Sequence, residues 1–170
     1  EAGPLAARRI VLAGGVWLEG MAAWLGVHLP IRVLINQLVV TERIAPVMRT
    51  VLGVASGLLS LKQYENGSVL IGGGWQGIGD RARGGLAVRA DNFVGNVRLA
   101  AYTVPALREA RVVRSWLGLE AETADALPVI GPIPGVDGAW IIGSVHSGYT
   151  SGPYMGRLLA QALTEMTGQT

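Results

Sequence analysis

The sequence predicts a mixed α/β fold in which short strands are interleaved with three helices. Three observations point there. Short apolar and β-branched runs recur between glycine punctuation, as in Arg9-Ile10-Val11-Leu12-Ala13 before Gly14-Gly15 and in residues 33–42. Two strand-like runs, 58–64 and 68–71, flank Asn66-Gly67, the strongest hairpin signal in the chain. Residues 91–107 return to a helical period, with Phe93, Val94, Val97, Ala100, Ala101 and Val104 on one face.

In chain order, 9–13 reads as a buried strand, and its glycine pair lets another group approach the backbone. Residues 18–25 form a short helix broken at Leu29-Pro30. After the strand 33–42 and the hairpin, Gly72-Gly73-Gly74-Trp75-Gln76-Gly77 fits G-x-G-x-x-G. That pattern holds a pyrophosphate when a helix starts inside it, and here loop-like residues 78–85 follow, so a flexible loop is expected. Asp91 lies near the start of the second helix, and Pro105 should shorten its last turn. Residues 112–119 read as a strand, 123–132 as a turn and a short extended segment, and 139–142 as another strand. A loop over 146–153 leads into a final helix, 154–167, with Pro153 near its first turn.

Half of the 170 residues are hydrophobic and 15% are charged, which excludes a disordered tail, while the 25 glycines are spread through the chain rather than in a collagen-like repeat. Fourteen basic residues against twelve acidic ones leave no basic stripe, so nucleic-acid binding is not expected. With no cysteine and two histidines, His28 and His146, neither disulfides nor metal chemistry is expected. Residues 10–29 approach the length of a membrane span, but Glu19 at their centre would cost about 2.5 to 3.5 kcal/mol in lipid, so no transmembrane segment is expected. The opening Glu1-Ala2-Gly3-Pro4 lacks a secretion-signal layout and suits a processed chain or an excised piece. A strand running through a hydroxyl-bearing loop into a helix aims backbone N–H groups at one point, which suits either an anion site or an ordinary connection.

Arg114-x-Trp116-x-Gly118, then Thr123-x-Asp125-x-x-Pro128-Val129-Ile130-Gly131-Pro132, a strand ending at Gly143, and His146-Ser147-Gly148 before a helix containing Gly156 together resemble the carboxyl-terminal part of FAD-dependent amine oxidoreductases of the D-amino-acid oxidase superfamily. The resemblance is nearest to glycine oxidase, sarcosine oxidase β subunits and opine oxidase or dehydrogenase β subunits. Arg9 to Trp17 resembles the strand and turn that re-enter the flavin domain, and 60–73 resembles the substrate-domain hairpin. The implied fold is a mixed or antiparallel substrate-domain sheet with helices, joined to remnants of a Rossmann-like FAD domain. The implied boundaries are 1–28 and 119–170 for FAD-domain segments and 29–118 for the substrate domain.

The resemblance also implies a missing βαβ unit for the FAD pyrophosphate, so this piece alone is expected to bind FAD weakly or not at all and to be inactive. In the parent, Gly14, Gly15, Trp17, Gly143, Ser147, Gly148, Tyr149 and Thr150 would face the cofactor. Hydride transfer from an amine-bearing carbon to the flavin would require no Ser-His-Asp or paired-carboxylate machinery of the chain. Relatives that oxidise amino acids carry an arginine just after Trp-x-Gly-x, where this chain has Glu120. That departure favours opine-type secondary amines over simple α-amino acids. Lys62, the only lysine, and His146 are the candidate replacement cations or donors, although Lys62 also suits a solvated hairpin residue. Arg114 is expected to pair with Asp125 or Glu122, and Trp116 and Trp140 to be core. The expected partners are a small-molecule amine and further subunits, and the expected location is cytoplasmic or membrane-associated. The competing expectation is a non-catalytic assembly subunit of the same architecture.

Overall fold

The computed structural model describes residues 3–55, 57–143 and 148–165. They form two compact units, one from 1–33 with 120–170 and one from 34–119. The first unit is built on a three-stranded sheet of β1 (Ile10–Leu12), β10 (Ala139–Gly143) and β9 (Val129–Pro132), in the order β1, β10, β9. β1 runs parallel to β10, with Ile10 opposite Ala139 and Leu12 opposite Ile141, and β10 is antiparallel to β9. After β1, a 3-10 turn at Gly15–Trp17 leads into α1 (Leu18–Ala23). Leu18, fully buried, packs with Leu12, Ile133, Ala139 and Ile141 to form this unit's core.

The last helix, α3, spans Gly148–Glu165, so 148–153 of the loop expected over 146–153 is helical, and 146–147 lie outside the described residues. Pro153 is therefore inside the helix, where it forfeits one backbone hydrogen bond, at a cost of roughly 3 kcal/mol. Burial of Met155 and Leu159, one turn apart, offsets this by about 1.5 to 3 kcal/mol each. Toward the far end of α3, the Arg9 guanidinium donates to the Leu163 carbonyl at 2.7 Å, a cation placed at the negative side of the helix dipole.

The second unit is a sheet backed by a helix. Its five strands run in the order β3 (Leu52–Gly53), β4 (Ser60–Gln63), β5 (Ser68–Gly72), β2 (Arg32–Arg43) and β8 (Val112–Glu122), and the unit boundaries fall inside β2 and β8. Strict alternation in β2 buries Ile35, Gln37, Val39 and Thr41. Val39, Leu61, Val69 and Ile71 pack against Ala100 of α2 (Ala90–Thr103), with Phe93, Val97 and Leu99 around them. Val94, expected on that face, is instead exposed, because the buried stripe runs through 93, 96, 97 and 100. Pro105 does end α2, and a 3-10 turn at Pro105–Glu109 follows.

The hairpin forms as its sequence predicts. Tyr64 N–H donates to Ser68 O at 2.9 Å, leaving Glu65-Asn66-Gly67 as a three-residue loop with Gly67 at φ +90°. Residues 78–85, expected to be loop, contain a small hairpin of β6 (Ile78–Asp80) and β7 (Gly84–Ala87). The Asp80 carboxylate accepts the Ala82 and Arg83 N–H groups at its turn, which holds its pKa below the usual aspartate value.

The Gly72–Gly77 stretch is pinned, in contrast to the flexible loop expected from its glycines. Asn96 donates to Gly72 O at 3.0 Å, Asn92 to Gln76 O at 2.7 Å, and Trp75 Nε1 to Leu58 O at 2.6 Å. No helix starts within it, so the phosphate-cradle reading of G-x-G-x-x-G has no geometric basis. The first turn of α2 likewise depends on the sheet: the Arg89 N–H donates to Gln37 Oε1 at 2.6 Å, and Asp91 lies inside the helix rather than at its cap.

Leu61→Ala, at a fully buried position, is expected to lower stability by about 2 to 5 kcal/mol, whereas Leu86→Ala on exposed β7 should stay within about 0.5 kcal/mol. Urea titration of both variants checks the contrast.

Candidate functional site

The parallel β1–β10 pair gives the first unit a candidate site edge. Continuing its register by two residues brings Gly14 level with Gly143, so the carboxyl ends of both strands open at the same place. Gly15 has φ +56° and open space where a Cβ would stand. Gly143 has φ +155°, and an added Cβ would come within 3.0 Å of Leu18 Cδ2. The bare backbone at Gly14 admits a close approach, as the glycine pair predicts: the Met21 side chain of α1 lies where a Cβ would stand.

Trp17, 57% exposed, follows on the same turn. Gly148, Tyr149 and Thr150 are the first residues of α3, and Tyr149 is fully exposed. His146 and Ser147 lie outside the described residues. Because the Arg9 contact puts the end of α3 beside the start of β1, α3 runs back along the strands and its first turn lies toward their carboxyl ends. The edge thus combines strand termini, side-chain-free backbone and a helix start whose N–H groups lack internal acceptors.

A separate cavity of about 540 Å³ in the first unit is lined by Glu19, His28, Arg32, Glu122, Thr123 and Ala126 among others. It shares no residue with the strand edge. Glu122 pairs there with Arg32, which corrects the expected pairing with Arg114, whose guanidinium stacks 5.3 Å from the Trp116 ring. The turn 123–127 at its rim is strained and braced. Ala126 has φ +57°, and Asp125 accepts the Leu127 N–H at 3.1 Å, which lowers the Asp125 pKa.

The second unit carries Lys62 on the face of β4 opposite the α2 core. The side chain is exposed, with its ammonium 6.0 Å from the centre of the Tyr64 ring. A cavity of about 200 Å³ lies beside it, lined also by Leu38, Ser60, Leu70 and the Gly72–Gly74 backbone. Ser60 was not singled out in the sequence; the two-residue spacing from Lys62 in a strand is the signal that puts both on one face. Glu120, half-buried in β8, shares its strand face with Trp116 and Gly118. Trp140 is core at 5% exposure, while Trp116 is only half-buried.

Among the described residues no cluster of ligating side chains could hold a metal ion, and no helix is long and apolar enough to cross a membrane.

Parallel strand ends meeting a glycine turn and a helix start are where α/β folds hold nucleotide cofactors. Residues 1–162 match the FAD dependent oxidoreductase (DAO) family, and the chain belongs to that family. It is 29% identical over 171 residues to the hydrogen cyanide synthase subunit HcnC of Pseudomonas aeruginosa, covering 98% of this chain and 39% of that protein. It is 29% identical over 163 residues to an opine oxidase subunit of Agrobacterium tumefaciens, covering 96% and 41%. The crystal structure of glycine oxidase from Geobacillus kaustophilus superposes with a TM-score of 0.80 at 26% identity, covering 95% of this chain and 42% of that one. The chain therefore spans about two fifths of the length of the curated relatives it matches. The mixed α/β fold with its sheets and helices is that of FAD-dependent oxidases.

Two outcomes follow from the turn at 123–127. Ala126→Gly should stabilise by about 0.5 kcal/mol, since relief of left-handed strain outweighs the added unfolded-state entropy. A carboxylate with a depressed folded pKa adds stability above its unfolded value near 3.8 and loses it as pH falls through the folded value. Asp125→Asn should therefore show a smaller acid-side fall in Tm than the parent, with the two curves converging below the folded pKa.

Proposed function

We propose that this chain is the carboxyl-terminal portion of an FAD-dependent enzyme that oxidises an amine or amino acid, with opine-type secondary amines as the favoured substrates. The observation that carries this reading is the common edge where Gly14-Gly15, Gly143 and the first turn of α3 meet. Residues 1–28 and 119–170 are read as segments of the FAD domain, and 29–118 as the substrate domain.

The donor set fits a flavin. The open space over Gly15 admits a flat ring, and the start of α3, the positive end of the helix dipole, suits negative charge on its carbonyl side. Gly14, Gly15, Trp17, Gly143, Ser147, Gly148, Tyr149 and Thr150 are the proposed cofactor-facing residues. When bound, FAD supplies the hydride-accepting centre. The chain's own task is then to hold the amine, exclude water and neutralise substrate charge. Lys62, Glu120 and His146 are proposed for that task. A carboxylate at position 120 repels a substrate carboxylate and attracts an ammonium, so clamping of a simple α-amino acid there is disfavoured. Relatives named as subunits support assembly of the parent with other chains.

The full-length protein is expected to purify yellow, and anaerobic titration with octopine, nopaline, sarcosine, proline and D-alanine should bleach the flavin's visible absorption with one of them. A colourless full-length protein would instead favour a non-catalytic assembly subunit. In the same protein, Glu120→Arg is expected to shift the kcat/KM ratio of sarcosine over octopine upward by roughly tenfold, the scale of one charge-assisted contact. An unchanged ratio would remove Glu120 from the substrate site.

A further inference from the structure

Lys62 lies on a sheet face that has a cavity built into it. In the row formed by Ser60, its cross-strand partner Gly72 and Leu38, the middle position has no side chain, and a Cβ at Gly72 would come within 3.1 Å of Leu38 Cδ2. The next row is Lys62, Leu70 and Val40. The Leu38 side chain thus leans over the bare Gly72 backbone, and beside it lies a hollow lined by Ser60, Lys62 and Leu70, with Leu38 and Leu70 as its apolar wall. Beyond it, Gly73 at φ +121° and Gly74 at φ +81° carry the chain away without any side chain over the opening. The hollow measures about 200 Å³, room for on the order of six water volumes, which suits a carboxylate with one or two carbons attached.

Its charge is equally specific. Of the described lining residues, Lys62 alone is ionisable, and no carboxylate among the described residues pairs with it. The Ser60 hydroxyl has no partner among those residues either. A solvated lysine needs neither an adjacent hollow nor a neighbouring hydroxyl, and surface lysines commonly have acidic neighbours.

We propose that this hollow binds a carboxylate-bearing arm of the substrate, with the Lys62 ammonium pairing with the carboxylate, the Ser60 hydroxyl donating to it, and Leu38 and Leu70 packing its methylene carbons. The substrate class is then a secondary amine with two carboxylates, one of them on a short arm. This rests on the reading of the parent as an amine oxidoreductase. It adds the anchor that selects a dicarboxylate over a monocarboxylate.

The test uses the full-length holoprotein and its Lys62→Met, Lys62→Arg and Ser60→Ala variants. Lys62→Met is expected to lower the kcat/KM ratio of iminodiacetate over sarcosine at least tenfold, through KM, with Lys62→Arg recovering most of the loss and Ser60→Ala losing a few-fold. Calorimetric titration with succinate, which needs no turnover, should show at least tenfold weaker binding to Lys62→Met. Equal losses for iminodiacetate and sarcosine, or unchanged succinate binding, would overturn the anchor even if the flavin is bound and reduced. A protein that holds no reducible flavin but still binds succinate through Lys62 would overturn the enzymatic reading and leave the anion site standing.

Discussion

The parallel pairing of Ile10–Leu12 with residues 139–141 is the constraint on which the first unit depends. It joins stretches far apart in sequence, so its loop-closure entropy must be met by the burial of Leu12, Leu18, Ala139 and Ile141 around it. Once the register is set, the positions of Gly14, Gly143 and the start of α3 follow, because each lies within a few residues of a paired strand end. The Arg9 to Leu163 hydrogen bond reinforces the arrangement by tying the opposite end of α3 to the start of β1.

The second unit solves a different problem, a sheet that is apolar on one side and available on the other. Val39, Leu61, Val69 and Ile71 bury the α2 side, while Lys62, Ser60 and the half-buried Leu38 and Leu70 occupy the opposite face. Rigidity of that second face comes from the buried one. Gln37 and Asn96, each almost fully buried, commit a side-chain amide to the backbone of Arg89 and Gly72, which fixes α2 and the glycine stretch against the strands. Each leaves one polar atom without a partner among the described residues, a cost that positioning the loop must outweigh.

FAD-dependent oxidoreductases delegate bond breaking to the cofactor, so the protein's contribution lies in backbone geometry and placed charge rather than in a nucleophile or a metal. Closely spaced glycines at a strand edge, one of them with open space over its backbone, and a lone lysine beside a hollow are modest features individually. They acquire meaning because the fold holds each of them on regular elements instead of on open loops.

Much of this was legible in the residues. The β-branched and aliphatic run 33–42, the Asn66-Gly67 turn, the shortening of α2 by Pro105 and the family resemblance all rest on local chemistry that a sequence states directly. What escaped it depended on partners distant in the chain. Asn92, Asn96 and Trp75 turned a glycine run that reads as flexible into a pinned segment, and Met155 with Leu159 carried a helix through Pro153. The hollow beside Lys62 is lined by residues of three strands, Leu38, Ser60 and Leu70 among them, a neighbourhood created by strand register. Sequence determined most of the strands and helices and the family to which the chain belongs, since periodicity, turn residues and residue type act locally. Tertiary structure alone decided which glycines are open, which are crowded and which cation faces a cavity, because those properties belong to pairs of elements and not to either one.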